Sequence, residues 1–107
     1  MKEAIIDILQ QHQGKANPIT GKRLASLFGH RSDRTIRLII RQLIKEGYPI
    51  ASATEAPAGY FITTSYAEKR QYAASIKRRL IEDAIRLRDY RHAADMYLQK
   101  LEQGVLL

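Results

Sequence analysis

The sequence predicts a mainly α-helical fold with one small β-hairpin: three short helices precede the hairpin and a long helical segment follows it. Apolar residues recur at helical spacing in three successive stretches between residues 2 and 46, each closed by a glycine. The period drops to two only between residues 50 and 63. From Ser65 to Gln103 neither Gly nor Pro intervenes, so no residue there forces the backbone out of a helix.

The elements follow in order. In residues 2–13, Ile5, Ile8, Leu9 and His12 share a face with Ile6 beside them, and Gly14 closes the stretch. GKANP at 14–18 reads as a loop. Thr20 can cap a second helix whose Leu24, Leu27 and Phe28 face inward, ending at Gly29. Ser32 is a natural cap for the third helix, Ser32 to Glu46, and Asp33 suits its first turn. Ile36, Ile40, Leu43 and Ile44 make its apolar face, while Arg34, Arg37, Arg41 and Lys45 repeat on the other side. Gly47 closes it and Pro49 forbids continuation. Residues 50–54 and 60–63 read as two strands joined by a turn at 55–59, with Pro57 and Gly59 at its tip. Ser65-Tyr66-Ala67-Glu68 has the form of a capping box.

Residues 1–64 thus form one predicted domain and 65–107 a helical segment. In that segment Leu80, Ala84, Leu87, Ala94, Leu98 and Leu101 fall on a 4-3 pattern that Arg91 interrupts. Two arrangements fit: one helix of roughly 55 Å at 1.5 Å per residue, or two antiparallel helices broken near Arg88-Asp89, with Asp89 as the second cap. The stripe is expected to make a homodimer, and the alternative is that it packs on the chain's own first domain. Lys69, Arg70, Lys77, Arg78 and Arg79 read as a solvated basic face, with contact to the flanks of a DNA site as the alternative.

Lys and Arg total 18 against 11 Asp and Glu, for a net charge of +7 and a pI near 9.9. Such a surplus favours polyanionic partners. Cysteine is absent, which excludes disulfides and thiolate metal sites. No apolar run is long enough to span a bilayer, and MKEAIIDILQQHQG carries acids within its apolar stretch, unlike a secretion signal. A cytoplasmic protein without membrane contact is expected.

A short helix, a tight turn and a second helix with arginines on its outer face form a helix-turn-helix pattern. The second helix buries one side and frees the other to lie in a major groove. Residues 20–62 resemble the winged helix-turn-helix at the N-terminus of biotin-protein ligase repressors and in small bacterial and phage regulators. The matching pieces are Leu24-Ala25 with Phe28-Gly29, then Ser32 with Arg34-Thr35-Ile36, then Leu43 with Glu46-Gly47-Tyr48-Pro49-Ile50, and Gly59-Tyr60. The turn GHRSD is one residue longer than the family's usual turn. The wing tip at 53–58 has one Glu and no Lys or Arg, which implies a weak or absent wing contact with DNA.

The resemblance implies sequence-specific binding of double-stranded DNA by a transcriptional regulator or by a phage or plasmid DNA-transaction factor. It places Arg34, Thr35, Arg37, Leu38 and Arg41 toward the groove, with Ser32 at the leading end and Lys45 at the far end. Lys22, Arg23 and Arg31 flank the turn as phosphate contacts. Winged helices also serve as protein-interaction adaptors, and that alternative stays open. No catalytic residues, cofactor or metal site are expected. There is no Gly-rich phosphate loop and neither a GxSxG nor an HExxH pattern; His12, His30 and His92 lack zinc-ligand spacing, and His30 reads as a turn residue able to touch phosphate.

Overall fold

The computed structural model describes residues 1–29 and 32–104. Among them are four helices, α1 (Lys2–Leu9), α2 (Gly21–Leu27), α3 (Asp33–Lys45) and α4 (Tyr66–Glu102), and two strands, β1 (Ile50–Ala53) and β2 (Gly59–Ile62). The fold is mainly helical with a two-stranded antiparallel hairpin. The chain divides into two compact units, Met1–Tyr72 and Ala73–Leu107.

The first unit is organised around a single cluster. Ile5 and Leu9 of α1, Leu24 and Ala25 of α2, and Ile36, Ile40 and Leu43 of α3 are buried together with Ile19 and Ile50. Burying each large aliphatic side chain contributes about 1.5–3 kcal/mol. Two expected core residues lie outside it. Leu27 is 46% exposed, because the buried side of α2 is Leu24, Ala25 and Phe28 rather than Leu27. Ile44 is 44% exposed, because the helical twist carries it from the Ile36-Ile40-Leu43 row toward the Arg37 flank.

α1 ends at Leu9, four residues before the expected stop at Gln13. The chain leaves the helix to reach the free edge of β2. Ile62 donates from N–H to His12 O at 2.9 Å, and Gly14 N–H donates to Ile62 O at 2.8 Å. Further on, Ile19 and Tyr60 exchange two backbone hydrogen bonds, at 2.9 and 2.7 Å. β2 is therefore bonded on one edge to β1 and on the other to residues of the 13–19 loop.

The strands are also shifted from their expected bounds. β1 stops at Ala53 rather than Thr54, and β2 covers 59–62 rather than 60–63. Gly59 is not at the hairpin tip. It opens β2 opposite Ala53, with φ of +136°, and a Cβ there would run into the Ile19 carbonyl. Glycine is needed for that close backbone approach.

Side chains tie the unit's ends together. Lys2 Nζ lies 2.8 Å from Glu46, linking the first turn of α1 to the C-cap of α3. Glu68 makes only one half of the expected capping box. Its N–H donates to Ser65 Oγ at 3.2 Å, but its carboxylate accepts from Thr64 N–H and from Lys15 N–H, both at 2.9 Å. It thus fastens the start of α4 to the 14–18 loop. These two backbone donors, before any other influence, hold its carboxyl below the usual glutamate range.

α4 is one uninterrupted helix, with no break at Arg88-Asp89 and no buried side chain. No helix among the described residues is long and apolar enough to cross a membrane.

Candidate nucleic-acid interface

α3 is defined by its ends. Ser32 has extended backbone and its Oγ accepts from Thr35 N–H at 3.1 Å. The same Oγ lies 2.8 Å from Thr35 Oγ1. At the other end Glu46 closes the helix and Gly47 follows at φ of +106°. In between, Ile36 and Leu43 have no exposed surface.

The face opposite that row carries the candidate residues. Arg34, Leu38, Arg41 and Lys45 follow one another at spacings of four, three and four, which stacks them along one side of a helix. All four are exposed. Leu38 is 53% exposed among these cations. Arg37 sits to one flank, where its Nε is 4.0 Å from Asp33. Thr35 lies on the other flank and is half-buried. The Ser32 hydroxyl caps the helix as an acceptor, and the bond between the two hydroxyls uses one of their two protons, which leaves the other hydroxyl able to donate outward.

α2 precedes this helix and is itself capped, with Arg23 N–H donating to Thr20 Oγ1 at 3.1 Å. Lys22 and Arg23 are exposed in its first turn. Arg31, expected to contact phosphate, and His30 lie outside the described residues. Residues 20–46 carry seven cations against two acids, Asp33 and Glu46, so most of the chain's net positive charge belongs to this stretch.

One contact was not foreseen from the sequence. Asp33, Arg37 and Tyr60 come together beside the start of α2. A Cβ on Gly21 would lie 3.0 Å from Asp33 Oδ1 and 3.4 Å from the Tyr60 ring. Partial burial raises the Tyr60 hydroxyl's pKa first and the Asp33 charge adds to it, while Arg37 opposes. Lys22, Ser26 and Ser52 help line an open groove here of about 640 Å³. The i, i+4 spacing of Asp33 and Arg37 was the sequence signal for half of this arrangement. Tyr60 had no such signal, since its place depends on the hairpin folding against α2.

The hairpin turn at 54–58 is exposed and carries Glu55 as its one charge. Among the described residues no group of His, Asp or Glu is arranged to hold a metal ion. Comparison with protein-family models, with curated proteins and with solved structures finds no match to the chain.

Proposed function

We propose that the first unit is a winged helix-turn-helix and that the protein binds double-stranded DNA at particular sites, with α3 in the major groove. The observation that carries this reading is the division of α3 into two sides. Ile36, Ile40 and Leu43 are buried, and Arg34, Arg41 and Lys45 project from the opposite side. A helix held this way can enter a groove about 12 Å wide without losing its core contacts.

Roles follow from position. Arg34, in the first turn, and Arg41 can each present a guanidinium fork to guanine O6 and N7. Leu38 between them offers an apolar contact to a thymine methyl. Lys45, Lys22 and Arg23 supply phosphate contacts that fix the helix in place. The acidic hairpin turn contributes little attraction for phosphate, so α3 bears most of the contact energy.

Titration of the full chain against random and genomic duplexes at several salt concentrations tests this. The logarithm of the binding constant is expected to fall linearly with the logarithm of salt, by about 0.9 per neutralised phosphate. A subset of sequences is expected to bind on the order of a thousandfold more tightly than random DNA. Salt-independent or absent binding would favour the adaptor reading and remove the proposal.

A further inference from the structure

We infer that α4 carries a docking seam for an acidic amphipathic helix. Within the second unit α4 runs without a break, and its register is taken as the one that puts most apolar residues of the sequence on a seven-residue seam. Leu80, Leu87, Ala94 and Leu101 recur every seven residues. Ile76, Asp83, Tyr90 and Tyr97 form the second row, three residues after Ala73, Leu80, Leu87 and Ala94 respectively. These rows are the a and d positions of a heptad. In this register Arg91, which interrupts the 4-3 pattern, stands beside the seam in the e row with Ala84 and Leu98.

The seam is open to solvent. Leu80 is 68% exposed and Tyr90 is 69% exposed. A strict seven-residue repeat makes a narrow stripe, suited to another helix and too narrow for a flat lipid surface. Ile81, Ile85 and Met96, on the outer side of the helix, are likewise not gathered into one broad apolar face.

The flanks select the occupant. Between residues 73 and 101 the e and g positions hold Lys77, Arg79, Arg86, Arg91 and Lys100, and no acid. The acids Glu82, Asp89 and Asp95 lie on the outer side. Arg86 turns toward Asp83 at 2.7 Å. Lys77, Arg79, Arg91 and Lys100 have no ion pair among the described residues. Charges at e and g decide which helices pair. Along this seam a second copy of the chain, parallel or antiparallel, offers cations to cations. A helix with Glu or Asp flanking its own apolar seam offers the opposite sign at every such position.

The test uses the full-length protein and three labelled four-heptad peptides, read by fluorescence anisotropy. One has Leu at a and d with Glu at e and g. The second has Lys at e and g. The third has the first peptide's composition with its apolar spacing scrambled. The Glu-flanked peptide is expected to bind on the order of tenfold or more tightly than either control, and less well as salt rises. The triple variant Arg79→Glu, Arg86→Glu, Arg91→Glu is expected to prefer the Lys-flanked peptide. Leu87→Ala, at an exposed position that leaves the fold intact, is expected to weaken binding of the Glu-flanked peptide. Equal binding of the Glu-flanked and scrambled peptides would reduce the effect to general charge attraction and overturn the seam. A homodimer at micromolar concentration that the Glu-flanked peptide does not displace would make a second copy the occupant and overturn it as well. So would tighter association with phosphatidylserine vesicles than with the peptide.

Discussion

Asp33 stands in the first turn of a helix whose outer side is otherwise basic, 4.0 Å from Arg37. It favours the helix by meeting the positive end of the dipole, worth about 0.3–1 kcal/mol. It also repels phosphate and draws Arg37 aside. Asp33→Asn is therefore expected to lower stability slightly and to raise DNA affinity several-fold at low salt. Parallel denaturation and DNA titration measure both, and unchanged or weaker DNA binding would place Asp33 away from the phosphates. Glu68 makes a different kind of prediction. Its folded-state pKa lies below the ordinary 4.5, so the stability it contributes is full above that value and is lost as pH falls through the folded value. Glu68→Gln is expected to cost about 1 kcal/mol at pH 7, as lost caps do. Urea midpoints of the two proteins should draw together on the acid side of 4.5. A gap that stays constant with pH would mean that Glu68 acts through packing rather than charge.

At the scale of elements, what was legible in the sequence is what is decided locally. The bounds of α3 could be read because Ser32 and Gly47 are end signals in their own right, and the buried row at Ile36, Ile40 and Leu43 follows from the helical repeat. The end of α1 could not be read. Gln10 to Gln13 have no sequence reason to leave a helix, and they do so because His12 and Gly14 bond to Ile62, fifty residues away in the chain. The isolated bridges that Gln13 and Ile19 make with β2 were invisible for the same reason, since GKANP has no alternating pattern. The candidate site divides likewise. Its cations were legible from their spacing, and the approach of Tyr60 to Asp33 was not, because it depends on the hairpin's placement. Gly59 joins these long-range contacts. Gly59→Ala is expected to lower stability by on the order of 3 kcal/mol, since it combines a positive φ with a collision against the Ile19 carbonyl. A thermal melt within a degree or two of the parent would show that the 13–19 loop can yield. α3 itself is tested by Arg34→Ala and Arg41→Ala. Each is expected to weaken binding to the preferred site by about 1–3 kcal/mol and to relax base preference, whereas Lys45→Ala should weaken all sequences alike and reduce the salt slope by about one.

At the scale of the whole molecule, the chain holds two units with opposite relations to solvent. The first buries a cluster drawn from three helices and the hairpin, and the second buries no side chain among its described residues. Helices in water draw most of their stability from the apolar face they bury, and an unburied helix opens readily. Amide exchange should report that difference directly. Amides of residues 36–43 are expected to exchange only through global unfolding. Those of residues 76–100 are expected to exchange orders of magnitude faster in the free protein, since their opening exposes little apolar surface that is not already exposed. Adding DNA should slow exchange around α3 without changing residues 76–100. Adding the Glu-flanked peptide should do the reverse. Strong protection of residues 76–100 in the protein alone, rising with its concentration, would show that the seam is already filled by another copy; protection independent of concentration would show that it packs within the chain. The two units can thus be tested separately in one sample, because each proposed partner leaves the other unit's exchange unchanged.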